Sequence, residues 1–302
     1  MAQVLPRGIA RALLVLGIWV VVAVSAQAGS VLVGQDSSTG YGMLNQRAIS
    51  GACDDGEMAC GPTATVNSFI YLQNRYPLVY GTRLVPDMAH PEDTVTQLAP
   101  MMGCVCGSGT TLSGLLAGKT AYIQGGNDAL GVPQTGVAPG TTTFESQEDP
   151  GSIAWLVEQL AKGQDVEMLY GHYTKDGATF TRNGGHWVTV TGVTYNDNNN
   201  NNNFDGGDTP ANVSFIDPYG NDNTTLNGAI FRQNVAMAAG LVNAGGFGNL
   251  LNLSGLGGGD DYKLIDGWVA ESPIPEPATL VLLVLGLAAL STLRRRWYSP
   301  MA

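Results

Sequence analysis

Positive charge is scarce in this sequence. Only 14 of 302 residues are Lys or Arg against 25 Asp or Glu, and residues 29–270 hold nine of the former and 23 of the latter, a net charge near −14. So acidic a domain repels phosphate backbones and anionic membrane faces, which excludes nucleic acid as a partner. Histidine is scarcer still, with His90, His172 and His186 the three in the chain. Few side chains are therefore available as a general base near neutral pH. Thiols are limited to Cys53, Cys60, Cys104 and Cys106. There is no internal repeat, and long apolar runs are confined to the two ends. The roughly 240 residues between those ends can bury a full core as one domain with long loops.

The ends read as sorting signals. After Arg7 and Arg11 comes the apolar run Ala12 to Val24, then Ser25-Ala26-Gln27-Ala28. A charged region, an apolar region and an A-x-A site mark residues 1–28 as a secretory signal peptide cut after Ala28, with a retained anchor as the alternative. At the other end Pro273-Ile274-Pro275-Glu276-Pro277-Ala278 leads into about sixteen mostly apolar residues, 278–293, and then Arg294-Arg295-Arg296-Trp297. That length is marginal for a transmembrane segment, which usually needs about 20 residues, and the arginines hold the end on the cytoplasmic side.

The order Pro-Glu-Pro, apolar helix, basic tail in residues 271–302 resembles the PEP-CTERM sorting tail of Gram-negative bacteria. The resemblance implies passage through the secretion machinery, transient residence in the inner membrane, and cleavage by an exosortase. Release or transfer to the cell surface or extracellular polymer follows. An ordinary single-span anchor is the alternative. In either case the domain at 29–270 is exported, into a compartment where disulfides persist. Cys104 and Cys106 are one residue apart, which strains a mutual bridge. Two arrangements stay open: Cys53 bridged to one of them, leaving Cys60 free, or all four oxidised, which silences Cys60.

The middle of the chain is organised around Ala59-Cys60-Gly61-Pro62-Thr63-Ala64. Val66, Phe69, Ile70 and Gln73 follow at i, i+3, i+4, i+7 and predict a helix that Pro77 stops. Pro62 is tolerated in a first turn, so Cys60 falls at the helix N-terminus, where the macrodipole favours a thiolate. Before this stretch, residues 29–50 are Gly/Ser-rich; after it, 76–100 show no clear period. Ser108-Gly109-Thr110-Thr111 caps a helix with Leu112, Leu115, Leu116 and Tyr122 on one side. Residues 124–151 read as a long connection, and Ser152 caps a third helix through Ile153, Leu156, Val157 and Leu160 to Gly163.

From there the period changes to two. Strands are expected at 166–170, 179–181, 187–193, 212–217 and 262–269, with 236–259 left unassigned. Helices first and strands second is an α+β order, here N-terminal helices packed on an antiparallel sheet. His186 opens the best strand, in Gly185-His186-Trp187-Val188, and Asp217 ends the next, before Pro218. In an antiparallel pair the two face each other, making Cys60, His186 and Asp217 candidates for nucleophile, base and orienter. His90 and His172 are expected at the surface.

Cys60-Gly61-Pro62-Thr63-Ala64, then Gly185-His186-Trp187-Val188-Thr189-Val190-Thr191-Gly192, then Asp217-Pro218 resemble the papain-like cysteine peptidases of the bacteriocin-leader-processing type. The resemblance spans about residues 40–222 and implies a papain-like fold and cleavage of a peptide or protein substrate. It also implies a glutamine that completes the oxyanion hole, for which Gln46 is the candidate. Two features depart from the family. Gln46 lies fourteen positions before Cys60 with Cys53 between them, and the transporter that often follows such domains is missing. A catalytically silent surface or matrix binding protein on the same fold is the rival reading.

A second candidate site lies in the asparagine run. Counted from Asp197, oxygen-bearing side chains fall on Asp197, Asn199, Asn201 and Asp205, with Asp208 at the twelfth position and the backbone carbonyl of Asn203 at the seventh. This resembles a dockerin-like or EF-hand-like Ca2+ loop, with Asn202 where glycine is usual. Asparagine also tolerates the left-handed conformation needed there. The alternative is a solvated hairpin loop.

Overall fold

Alternation of buried side chains along two long strands sets the architecture of the computed structural model, which describes residues 29–124, 143–147, 152–257 and 259–272. In chain order these form β1 (Gly29–Gly34), α1 (Cys60–Arg75), α2 (Pro77–Tyr80), α3 (Glu92–Met101), α4 (Leu112–Gln124), β2 (Thr143–Gln147) and α5 (Ile153–Ala161). The strands β3 (Asp165–Asp176), β4 (Thr179–Asp197), β5 (Thr209–Asp217), β6 (Ile230–Ala236), β7 (Leu241–Asn243), β8 (Asn249–Leu251) and β9 (Asp261–Ser272) follow. The main sheet is antiparallel and runs β2-β9-β3-β4-β5-β6. The α+β class and the helices-then-strands order agree with the sequence.

Period-two side chains divide β3 between two cores. Leu169 joins Leu44, Phe69, Leu72, Leu98, Leu115 and Trp187 on the side of α1, α3 and α4. Val166, Met168 and Tyr170 join Val188, Val190 and the inner side of α5, Ile153, Leu156, Val157 and Leu160. Each such side chain contributes about 1.5–3 kcal/mol by leaving water. Helix α1 is not merely amphipathic: every residue from Cys60 to Ile70 is buried. Two of its polar members are matched, with Thr65 Oγ1 donating to Gly61 O at 3.0 Å and Asn67 Oδ1 accepting from Leu44 N–H at 2.8 Å.

Several expectations are corrected. The Gly/Ser-rich start contains β1, because β4 runs on past β3 and its last six residues need a partner; Gly34 pairs with Gly192 and Gly29 with Asp197. Residues 76–100 are not irregular. They hold α2 and α3, whose Thr94, Val95, Leu98 and Ala99 form a buried stripe, with Glu92 and Asp93 at the favourable end of the helix dipole. Within 124–151, residues 143–147 are a strand paired with β9, and most of the remainder lies outside the described residues. The separate strands at 179–181 and 187–193 are one, β4. The unassigned stretch contributes β7 and β8, which cover the β3–β4 hairpin through Leu250 and Ala244.

The signal segment 1–28, nearly all of the tail 271–302 and its apolar run 278–293 lie outside the described residues; β9 extends to Ser272, two residues past the expected domain end. Among the described residues no helix is long and apolar enough to cross a membrane. Cys53 is bridged to Cys104, while Cys60 and Cys106 are free, so of the two open pairings the one that spares Cys60 is present.

Candidate thiolate site

Cys60 is the first residue of α1, and Ala59 ahead of it supplies no side-chain cap. The first N–H groups of the helix are therefore directed at whatever lies before it. Gly61 is required by a close approach: a Cβ there would stand 2.9 Å from Thr110 Cβ, in the loop that leads to α4. The same loop is gripped from the sheet, because Trp187 Nε1 donates to Thr110 O at 2.9 Å. Two residues along β4, Thr189 Oγ1 donates to Ala64 O at 2.7 Å. Both bonds lie just beyond His186 and fix β4 against the loop before α4 and the first turns of α1, which sets the imidazole relative to the thiol.

His186 sits opposite Tyr170 in the β3–β4 ladder, with the Tyr170 ring edge-on at 5.5 Å. Its Nε2 lies 2.7 Å from Asp217 Oδ1, at the end of β5. Nδ1 is thereby the nitrogen left for Cys60, whose side chain is hydrogen-bonded to His186. Asp217 is held in turn: Tyr219 N–H donates to Oδ1 and Arg232 Nε to Oδ2, each at 2.9 Å.

Burial alone pushes the Cys60 thiol up, but the hydrogen bond and charge of His186, then the N–H groups of Trp187 and Gly61, bring it below its ordinary value. Burial alone lowers His186, yet Asp217 and Cys60 raise it to about 10. Burial opposes the Asp217 carboxylate as well, but hydrogen bonding and charge from His186, with Tyr219 and Arg232, hold it below the usual range. The pair is thereby shifted towards thiolate and imidazolium, with the Asp217 carboxylate behind the ring. Such a thiolate is a nucleophile towards carbonyl carbon, and the imidazolium is a proton donor beside it.

Gln46 is buried just ahead of this site. Its Nε2 donates to Gly56 O at 3.1 Å and Glu57 O at 2.8 Å, so both amide hydrogens are engaged with the turn that precedes α1. Gly56 has φ +91°, and a Cβ there would collide with the Gln46 carbonyl. His90 is exposed and pairs with Asp87 at 3.0 Å, as a surface histidine does. His172 is half-buried rather than exposed, and burial lowers its pKa. Sequence reasoning missed Arg232: it falls on β6, between the expected strands, and nothing local marks it as a partner for Asp217.

In the 197–208 loop, Asp205 Oδ2 accepts from Asn199 Nδ2 at 2.8 Å and Asn201 Nδ2 at 2.9 Å. Asp197 accepts from the N–H groups of Asn201 and Asn202, and Asp208 Oδ1 from that of Asn198 at 2.9 Å. Asn203 donates its N–H to Asn201 Oδ1 at 2.7 Å. Asn202 has φ +58°, the conformation expected of the sixth position. The three carboxylates and the asparagine amides are engaged with one another and with backbone N–H groups of the loop. Among the described residues, no group of three His, Cys, Asp or Glu side chains is placed to hold a metal. A cation here would depend on the asparagine oxygens.

Residues 273–296 match the PEP-CTERM protein-sorting motif, which points to export and cell-surface sorting in Gram-negative bacteria and implies processing by an exosortase. No curated protein matches the chain.

Proposed function

We propose that the exported domain is a papain-like thiol hydrolase that cleaves peptide bonds through Cys60, His186 and Asp217. The observation that carries the reading is the line of contacts from Cys60 through His186 to Asp217, with the thiol shifted down and the imidazole up. A cysteine used only for packing gains nothing from a charged imidazole oriented by a carboxylate.

In the reaction Cys60 Sγ forms a bond to the substrate carbonyl carbon while negative charge moves to the carbonyl oxygen. His186 gives its Nδ1 proton to the amine nitrogen as the C–N bond breaks. The same imidazole then takes a proton from water, which attacks the thioester and restores the thiol pair. Backbone N–H at Cys60 stabilises the oxyanion, and losing one such donor costs about 3 kcal/mol in the barrier. Gln46 fills the second donor role only by leaving its Gly56 and Glu57 carbonyls. That engagement favours a second reading, a silent surface or matrix binding protein that retains the fold.

Iodoacetamide labelling of the mature domain with peptide mapping separates the two. Fast labelling of Cys60 without reductant, lost in His186→Ala, supports the hydrolase. Slow labelling that is indifferent to His186 leaves the binding protein.

For the 197–208 loop we propose Ca2+, held by Asp197, Asn199, Asn201, the Asn203 carbonyl, Asp205 and Asp208. The loop joins the strands that carry His186 and Asp217, so the ion would stiffen both. Calcium titration calorimetry on the domain should give heat and a higher melting temperature; neither appearing would remove the proposal.

A further inference from the structure

A cavity of about 470 Å³ lies where the end of β1 meets the C-terminal parts of α1 and α5. Its size falls within the range of about 300–1,000 Å³ typical of ligand sites. Its charge runs against that of the domain. Residues 29–270 hold 23 Asp or Glu, yet among the described residues none lines this cavity, whereas Arg75 does. Arg47, Arg182 and Arg232 are paired with Glu57, Asp266 and Asp217. Arg75 has no carboxylate partner among the described residues, and its guanidinium stands 5.9 Å from the centre of the Tyr76 ring.

The wall facing this cation is neutral and hydrogen-bonding. Gly163, at φ +75° just past α5, accepts at its carbonyl from the hydroxyls of Tyr71 at 3.3 Å and Tyr76 at 2.7 Å. A Cβ at Gly163 would collide with the Tyr76 hydroxyl, so the wall is built around a glycine. Tyr71 in turn is stacked on Tyr41, with ring centroids 4.2 Å apart. Next to Gly163, Gln164 lines the cavity, is 2% exposed, and carries a side-chain oxygen with no hydrogen-bond partner. Buried polar atoms are nearly always paired, so an unpaired one at a cavity points to a ligand that pairs it.

We propose that this cavity binds a hydroxylated carboxylate of the sugar-acid class, a hexuronate, with its carboxylate on Arg75 and its hydroxyls on the Gln164 amide. A guanidinium takes a carboxylate as a planar bidentate pair. A neutral sugar leaves Arg75 unused. An amino acid brings an ammonium group to a lining that offers it no carboxylate. A small inorganic anion leaves the amide and the tyrosine wall without a contact. The cavity shares no lining residue with the Cys60 site, so the inference stands apart from the hydrolase reading.

Calorimetric titration of the mature domain tests this with glucuronate and galacturonate, against glucose, L-serine, acetate and phosphate. At least one uronate should bind tenfold or more tightly than each of the four comparison solutes. Arg75→Gln, at an exposed position, should weaken that uronate at least tenfold. Ala161→Trp, which enters the cavity from an exposed position on α5, should abolish its binding. Unchanged circular dichroism shows that both variants keep the fold. No heat with either uronate overturns the proposal, as does uronate binding that survives Arg75→Gln. Glucose binding as tightly as the uronates removes the carboxylate from recognition and overturns it too. So does equal binding of acetate or phosphate, which leaves a simple anion site, or of L-serine, which leaves an amino-acid site.

Discussion

His186 and Asp217 meet at 2.7 Å while the second oxygen of the same carboxylate is held by Arg232. The carboxylate is thus shared between a cation that is always charged and an imidazole whose charge it maintains. His186 is the main cause that holds Asp217 ionised, Arg232 keeps the carboxylate turned, and Asp217 in turn raises and orients His186. Orientation passes along a chain of three side chains on β6, β5 and β4 before it reaches the thiol on α1.

The first prediction concerns pH. A raised histidine favours the folded protein below its ordinary pKa, and that contribution is lost as pH rises towards about 10. The lowered thiol favours it above the ordinary thiol value and is lost as pH falls through the lowered pKa. Between the two, Cys60 is a thiolate. Its alkylation should set in at lower pH than that of a plain thiol. In His186→Ala, with burial left to push the thiol up, the profile should move to or above that of a plain thiol, near pH 8.5. An inflection near that pH in the unaltered protein would contradict the ion pair.

Asp217→Asn should keep the contact to His186 but remove the charge behind it. The His186 pKa should fall from about 10, and hydrolysis should drop by about 10³–10⁴-fold, the scale expected when an orienting carboxylate loses its charge. Arg232→Leu leaves Asp217 Oδ2 unpaired, which costs about 1–3 kcal/mol. Its loss of rate should be smaller, because Oδ1 still meets the ring. Chemical-shift titration of the His186 ring distinguishes the two variants.

Much of this arrangement was legible in the sequence, for physical reasons. Cys60 before Gly61-Pro62 reads as a helix start because proline tolerates a first turn. His186 opens the clearest run of alternating β-branched residues, and Asp-Pro marks where the next strand stops. The period-two signal of β3, β4 and β9 comes from two buried faces. What stayed hidden depends on partners distant in sequence. Residues 29–34 become a strand because β4 outruns β3, and residues 92–101 a helix because their stripe meets α1 and α4. Arg232 acquires its role only when β6 pairs with β5. The engagement of Gln46 with Gly56 and Glu57 follows from the turn at Cys53–Gly56, whose positive φ angles at Asp54 and Asp55 have no sequence marker beyond aspartate's tolerance of them.

A buried charge cluster supplies a stability test. Lys119 Nζ lies 2.6 Å from Asp165 and 2.9 Å from both oxygens of Glu167, with Glu271 at 4.0 Å, and all four side chains are fully buried. Tyr80 donates to Glu271 Oε1 at 2.6 Å. Burial raises Glu167 to about 7 against the pull of Lys119, and burial with Asp165 beside it raises Glu271 well above the usual carboxylate range. A carboxylate raised on folding binds a proton in the native state, so its contribution weakens as pH climbs from the ordinary range towards 7. Lys119→Met removes the one cation and should cost about 3–5 kcal/mol at pH 8. The loss should be smaller at pH 5, below the raised pKa of Glu167. Urea unfolding at the two pH values reads the difference, and an equal loss at both would contradict the shifted acids.

The bridge between Cys53 and Cys104 closes 51 residues and joins the turn before Cys60 to the loop after α3. By chain entropy alone a loop of that size contributes about 4 kcal/mol. Its position adds a local effect. Asp54 Oδ2 accepts from Gly107 N–H at 2.6 Å, so bridge and hydrogen bond together hold the 104–109 loop against the entry to α1. Cys53→Ser with Cys104→Ser should lower the melting temperature and also loosen that loop. Iodoacetamide labelling of Cys60 should change little, because the thiol is lowered chiefly by His186 on β4. A variant that loses the iodoacetamide rate, while still folded by circular dichroism, would place the bridge in support of the helix start rather than of the loop.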